Sequence, residues 1–396
     1  MTRKSVSSNP KKYFYGQQFL EEDDYEAVSS VLRRRYISQG PSLVDFESGV
    51  ENYCGVKKCL AVSSATAAIY MTCCALGLGK GDHAWTTAMS FVATANGMRQ
   101  TGATVDFIDI DSQTFNLDLN ILEQKLEDAK KSDSLPKVVM PVHFSGMTCD
   151  MEKLYELSKT YGFMIVEDAA QAMGGSFLGK KIGCCNYSVA TIFSLHPVKS
   201  ITTGEGGLMV TNNIELYQKV LLMRSHGLKV WDGPFDDIRG PWHREMVEEG
   251  SNYRITEFQC MLGVSQLKKI DRFIAHRARL ASHYFLRLKN ARLRLQTQSD
   301  RCESAWHMMI IQLELENISK SKLEIYHELQ KRSIYPSLHY YPIPLHAFYR
   351  KLGFREGMFP VAEDYYRRAF SMPLHVGLDV NDVDYICDSL IQILEN

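Results

Sequence analysis

Residues 189–211, VATIFSLHPVKSITTGEGGLMVT, decide the fold. An apolar strand ends at Ser194 and gives way to a polar turn that carries Lys199. Gly204, Gly206 and Gly207 then permit tight backbone turns before a second strand, LMVT. A lysine on such a turn forms imines when its surroundings depress its pKa. Ser194, five residues earlier, offers a hydroxyl to a phosphate. Taken alone, a lysine is usually a solvated surface cation, so its company has to carry the argument.

Outward from that run, strands and helices alternate. Strands are expected at Lys58–Ser63, Thr104–Ile110, Val138–His143 and Met164–Glu167, besides Val189–Ser194. Helices are expected at Leu20–Arg35, Ser42–Cys54, Ala65–Leu76 and Met151–Tyr161. Arg33–Arg35 are read as the basic last turn of the first helix, and Gly77 as the stop after the third. This rhythm predicts an α/β protein with a mostly parallel sheet flanked by helices. From about Gln266 the texture changes to one long charged helix over 266–290, strands at Arg292–Gln296 and Trp306–Leu315, and helices at Lys320–Lys331 and Asn381–Leu394. The expected organisation is a flexible leader over 1–14, a large domain over 15–268 and a smaller α+β domain over 269–396.

Three further pieces supply chemistry. Asp168 stands just after an apolar strand, at the carboxyl edge where open α/β sheets bind ligands. A carboxylate there can pair with a pyridinium nitrogen, or simply cap a helix. Ser64, Ala65 and Thr66 open a helix whose free N–H groups suit a phosphate. Phe91 can stack on a flat ring or be a core aromatic. Other nucleotide loops do not fit: Gly77-Leu-Gly-Lys-Gly81 follows a helix and misses the G-x-G-x-x-G spacing. No Walker loop, G-x-S-x-G elbow or H-E-x-x-H occurs, the histidines do not cluster, and no metal is expected.

Composition narrows the class. Forty-five basic and 46 acidic residues give a net charge of -1, which leaves no basic excess for nucleic acid. No apolar run nears the roughly 20 residues of a membrane span. The basic N-terminus lacks the apolar region of a secretory signal. Ten cysteines without a C-x-x-C pair read as free thiols in a reducing cytoplasm.

Together these segments resemble the DegT/DnrJ/StrS sugar-nucleotide aminotransferases, within fold type I of the pyridoxal 5′-phosphate (PLP) enzymes. The likeness runs from about Tyr15 to the C-terminus. Its marks are FSLHPVKSITTGEGGLMVTN (193–212), VEDAAQA (166–172), NYRIT with Gln259 (252–259), YISQGP (36–41) and TTAMSFVATAN (86–96). It implies that Lys199 carries PLP as a Schiff base and shuttles the proton, and that Asp168 pairs with the ring nitrogen. Gln171 would approach the ring hydroxyl and Phe91 would stack on the ring. Ala65, Thr66 and Ser194 would bind the phosphate. Asn252 would reach the phosphate of the neighbouring subunit's cofactor, which makes a homodimer with shared sites part of the expectation.

Within the family, PVHFSGMTCDM (141–151) and GPWHREM (240–246) are similar to the transaminases of pseudaminic acid biosynthesis. That branch moves an amino group from glutamate to the C4 ketone of a UDP-linked 4-keto-6-deoxy-N-acetylhexosamine. The likeness adds Tyr15, Tyr36, Ile37, Ser38, Ser64, His339, Tyr340 and His346 as sugar-nucleotide residues. Ala65 stands where many relatives have Gly, and Gln171 where this branch often has His. Alternative substrates are a GDP-perosamine-type C4 ketone or a dTDP-3-keto sugar. A PLP-dependent sugar dehydratase would typically have His at the lysine, and Lys199 argues against it. A lyase or decarboxylase would lack YISQGP and LHYYPIP, and an intact Lys199, Asp168 and Ser194 argues against a non-catalytic PLP-binding regulator.

Overall fold

A computed structural model describes residues 11–395. Its main sheet has seven strands: β1 (Lys58–Val62), β2 (His83–Thr87), β3 (Thr104–Ile108), β4 (Val138–Met140), β5 (Met164–Asp168), β6 (Ala190–Ser194) and β7 (Gly207–Thr211). Their spatial order is β1-β7-β6-β5-β4-β2-β3. Only β7 runs against its neighbours β1 and β6; the other pairs are parallel. The sheet is therefore mostly parallel, with helices such as Ala65–Ala75 and Met151–Tyr161 packed on it. Strand β4 stops short of the expected His143 because Pro141 has no N–H for the ladder. Strand β2, HAWTT, carries no clear alternation and went unanticipated. Its buried Thr86 is satisfied by donating to the Met140 carbonyl at 2.7 Å.

Downstream, β8 (Leu293–Leu295), β9 (Met309–Leu313) and β10 (Ala369–Met372) form an antiparallel sheet in the order β8-β9-β10. It has its own apolar core, with Tyr284, Leu329, Ile386 and Leu390. Met308, Ile310, Ile343 and Tyr349 pack instead into the core of the large sheet, so the two parts share a wall.

Three expectations need correction. The charged helix expected over 266–290 spans Ile270–Leu288, and Gln266 and Leu267 instead end a separate helix, Glu257–Leu267. The second buries an apolar row with Ile270, Phe273, Leu280, Tyr284 and Leu288, whereas the first buries Glu257, Cys260, Gly263, Ser265 and Gln266. The break itself is tertiary: Lys269 is drawn to Asp23 and Asp24 at 2.8 Å each. The first helix is Glu22–Leu32, and Arg33–Arg35 fall beyond it. Of the leader, residues 1–10 lie outside the described residues. Tyr13–Phe14, however, form a parallel pair with Ile334–Tyr335, and Lys11 meets Asp382 at 2.6 Å. Among the described residues, no helix is long and apolar enough to cross a membrane.

Strands β5 and β6 are neighbours in register, Asp168 beside Ile192. Both end at the same sheet edge, so Asp168 and Ser194 emerge together. Successive side chains of a strand face opposite ways. Glu167 thus points away from Asp168, into a polar cluster where it meets His143 Nε2 at 2.7 Å and accepts from Ser188 and Thr191. Burial opposes its charge, but the His143 contact and the two hydroxyls hold its carboxyl below the ordinary value of 4.5. A lowered carboxyl stabilises the fold above its unfolded value and loses that contribution as pH falls through the folded one. Glu167→Gln puts an amide donor where only donors converge. It should cost about 1–3 kcal/mol at pH 7 and flatten the loss of stability below pH 4.5, both read from urea midpoints across pH.

Strand β7 begins against the start of helix Ala65–Ala75. A Cβ on Gly207 would lie 2.3 Å from the Ala65 nitrogen and 2.4 Å from the Ser64 carbonyl carbon. Backbone cannot retreat like a side-chain tip, so only glycine allows this approach. Gly207→Ala should lower stability by about 1–3 kcal/mol and weaken phosphate binding, measured by denaturation and by titration with inorganic phosphate.

Candidate active site

A cavity of about 450 Å³ opens at the edge where β5 and β6 end. Its wall includes Ser64, Ala65, Thr66, Phe91, Asp168, Gln171, Ser194 and Lys199, together with Tyr15, His339 and Tyr340. Segments almost the whole chain apart in sequence thus meet in one chamber. Tyr36, Ile37 and Ser38 lie elsewhere, on an exposed loop where Ser38 bridges to Thr256. His346 packs on Tyr341, with ring centroids 5.0 Å apart. Asn252 is exposed and bridges to Ser225.

Asp168 is 5% exposed. Its Oδ2 accepts from Thr94 Oγ1 at 2.6 Å and its Oδ1 from the Ala170 N–H at 3.1 Å. Ser90 and Thr94 share a hydroxyl contact of 2.8 Å behind it. The helix-cap alternative is thereby settled: the residues after Asp168 form a turn, and its carboxylate faces the cavity. Thr94 was missed by the sequence reading. It lies inside TTAMSFVATAN, but its role needs helix Ala93–Arg99 to turn it towards β5.

Lys199 is part-buried on the cavity wall. Burial pushes its amine down to about 8, against the pull of the Asp168 charge. His307 Nε2 lies 3.5 Å from the amine. This histidine was also missed, because nothing in AWHMMIIQL signals that it faces a residue 108 positions away. Burial and the Lys199 charge push the His339 ring down to about 3.

Phe91 is 58% exposed although it lines the cavity, so it is not a core aromatic. Its ring is a bare face at the mouth, 6.0 Å from the Tyr340 ring. Gln171 is fixed at both ends: its Oε1 accepts from the Ser145 N–H at 2.7 Å, and its Nε2 donates to the Tyr340 hydroxyl at 3.1 Å. The amide nitrogen therefore faces the cavity side. At the other end, Ser64 Oγ accepts from the Ala67 N–H at 3.2 Å and caps the helix. The first-turn N–H groups of Ala65 and Thr66 have no partner within the helix and open on the cavity.

These walls fit pyridoxal phosphate. The helix start closed by Gly207 makes a phosphate cradle. A buried, oriented carboxylate suits a protonated ring nitrogen, and a lysine of depressed pKa suits the aldehyde. Among the described residues, no cluster of three or more His, Cys, Asp or Glu side chains could hold a metal ion.

Comparison with known proteins agrees. The model of the DegT/DnrJ/EryC1/StrS aminotransferase family matches residues 18–391. A Campylobacter jejuni UDP-4-amino-4,6-dideoxy-N-acetyl-beta-L-altrosamine transaminase is 34% identical, over 96% of this chain and 97% of that protein. A Helicobacter pylori aminotransferase involved in pseudaminic acid biosynthesis superposes with a TM-score of 0.88 at 31% identity, covering 97% and 100% of the two chains. A sugar aminotransferase from Streptococcus pneumoniae, solved in its PLP form, gives 0.86 at 26% identity, covering 97% and 99%. With the lysine, carboxylate and phosphate cradle gathered in one cavity and a match over nearly its whole length, the chain belongs to the DegT/DnrJ/EryC1/StrS aminotransferase family.

Proposed function

We propose that this PLP-dependent aminotransferase moves an amino group from glutamate to the C4 ketone of a UDP-linked 4-keto-6-deoxy-N-acetylhexosamine. The reaction class rests on Lys199 and Asp168 sharing one cavity. The substrate rests on the likeness to the Campylobacter and Helicobacter enzymes. All ten cysteines are free thiols, which suits the reducing cytoplasm where we place it.

Bound PLP supplies an electron sink for the carbon that loses its proton. The protein's residues do the rest. Asp168, oriented by hydrogen bonds from Thr94 and the Ala170 N–H, would pair with the ring nitrogen and keep its proton there. Phe91 offers its open face to the ring. Gln171, its amide oriented by Ser145 and Tyr340, would offer its N–H donor to the ring oxygen. Ser194 and the N–H groups of Ala65 and Thr66 hold the phosphate. Lys199 is placed to take the proton from the α-carbon of glutamate and to return it two atoms along, to the carbon beyond the amino nitrogen, and would reverse that transfer for the sugar. Tyr15, His339 and Tyr340 line the sugar side.

Asn252 stands outside its own subunit's cavity. It lies near an exposed antiparallel pair, Leu228–Val230 with Arg244–Met246, which bears Val230 and Met246. We place this face against a second copy, with Asn252, Tyr36, Ile37 and Ser38 completing the partner's site. A mixture of inactive Lys199→Ala and Asn252→Ala proteins should then regain activity through hybrid dimers with one intact site. No recovery after subunit exchange would refute the shared site.

Lys199 itself is tested by colour and product. The purified protein with PLP should be yellow, and glutamate should bleach it. Lys199→Ala should bind PLP without that band. A mutant that keeps the band would show that another lysine reacts. A panel of UDP-, GDP- and dTDP-linked keto sugars, with NMR of the aminated product, identifies the acceptor. A base must be unprotonated, so kcat should rise with pH up to about 8 and level off above it.

A further inference from the structure

His307 is 4% exposed and takes no part in the mechanism above. It sits just before β9, with Nε2 3.5 Å from Lys199 Nζ. Its other nitrogen, Nδ1, is buried without a hydrogen-bond partner. The groups that face it are Lys199 and His196 from the 195–206 turn, His339 from the 338–346 segment and Arg277 from helix Ile270–Leu288. None is an acid. Arg277 is itself buried, with its guanidinium on the carbonyls of Trp306, His307 and Leu374. Asp168 acts on Lys199 from β5. Burial and the charges of Lys199 and Arg277 hold the His307 ring well below its ordinary value, so the ring is neutral.

A neutral imidazole has one N–H and one bare nitrogen. A proton on Nδ1 would be a buried donor with no acceptor, which folded proteins avoid more strictly than an unused acceptor. The proton therefore belongs on Nε2, aimed at the Lys199 amine. An ammonium has no lone pair to receive it, whereas a neutral amine has one. We infer that His307 is a positioning residue: its Nε2–H donates to the lone pair of the neutral Lys199 amine and parks that amine beside the cavity between proton transfers. The separation is at the outer limit of a hydrogen bond, as is common before a ligand tightens a site. The inference rests on Lys199 being the reacting amine.

The test uses full-length enzyme loaded with pyridoxamine phosphate, in which Lys199 is free, and histidine labelled with ¹⁵N. The His307 signals are assigned by their loss in His307→Gln. Expected is a protonated Nε2 and a bare Nδ1 from about pH 8.5 to 9.5, above the value near 8 at which the Lys199 amine loses its proton. A proton on Nδ1, or a ring that becomes cationic in that range, overturns the inference. A second arm follows proton transfer in the glutamate half-reaction as single-turnover bleaching of the visible band. His307→Gln, which restores a neutral N–H donor, should stay within about threefold of the parent, and His307→Leu should fall on the order of tenfold or more at equal PLP loading. Equal rates in the two variants overturn the inference even if both are folded and loaded. Failure of the underlying assignment looks different: there Lys199→Ala keeps its visible band, whatever the His307 tautomer.

Discussion

Asp168 carries a charge that has to survive burial, and the site is arranged around that requirement. Withdrawing a carboxylate from water costs several kcal/mol even after relaxation. Hydrogen bonds to a charged group contribute about 1.5–3 kcal/mol each. Thr94 and the Ala170 N–H provide two, which leaves acceptor capacity for a cationic ligand. The same carboxylate supports charge on the Lys199 amine through its field rather than by contact. A neutral residue at 168 would remove both the partner of the ring nitrogen and the counterweight to the burial of Lys199.

That counterweight decides how Lys199 works. Burial alone would drive the amine far down, and a contact ion pair would fix it as an ammonium. Asp168 at a distance leaves it near 8, where both protonation states are within reach. The adjacency of β5 and β6 sets the separation: the carboxylate ends one strand, and the lysine lies on the turn after its neighbour. The antiparallel β7 then folds that turn back over the helix that cradles the phosphate.

Much of this was legible in the letters. Strand ends, glycine turns and helix starts are local signals, so Lys199, Asp168, Ser194 and the Ser64–Thr66 cradle could be singled out as candidates by position, while their roles came from the family resemblance. What escaped depends on packing between distant segments. Phe91 reads equally as core or platform until its exposure is seen. Thr94 matters only because its helix turns it towards β5, and His307 only because the smaller sheet leans on the larger. The break at Lys268–Lys269 was hidden for the same reason, since acids near the start of the described chain impose it.

One turn shows how the two parts of the molecule are tied to the chemistry. Ser145 and Gly146 both have positive φ, 57° and 103°. A Cβ at Gly146 would lie 2.8 Å from the Trp306 nitrogen, so a larger residue would push the approaching chain away. The Ser145 N–H fixes the amide of Gln171, while the carbonyls of Ser145 and Gly146 accept from His307 and Ala305. The cost of a left-handed serine, on the order of 1 kcal/mol or more, is borne where its two peptide groups must point to opposite tasks. The N–H orients a cofactor-side donor, and the carbonyl docks the segment that carries His307 into β9. The position of the smaller sheet is thereby tied to Gln171 through Ser145 and to Lys199 through His307.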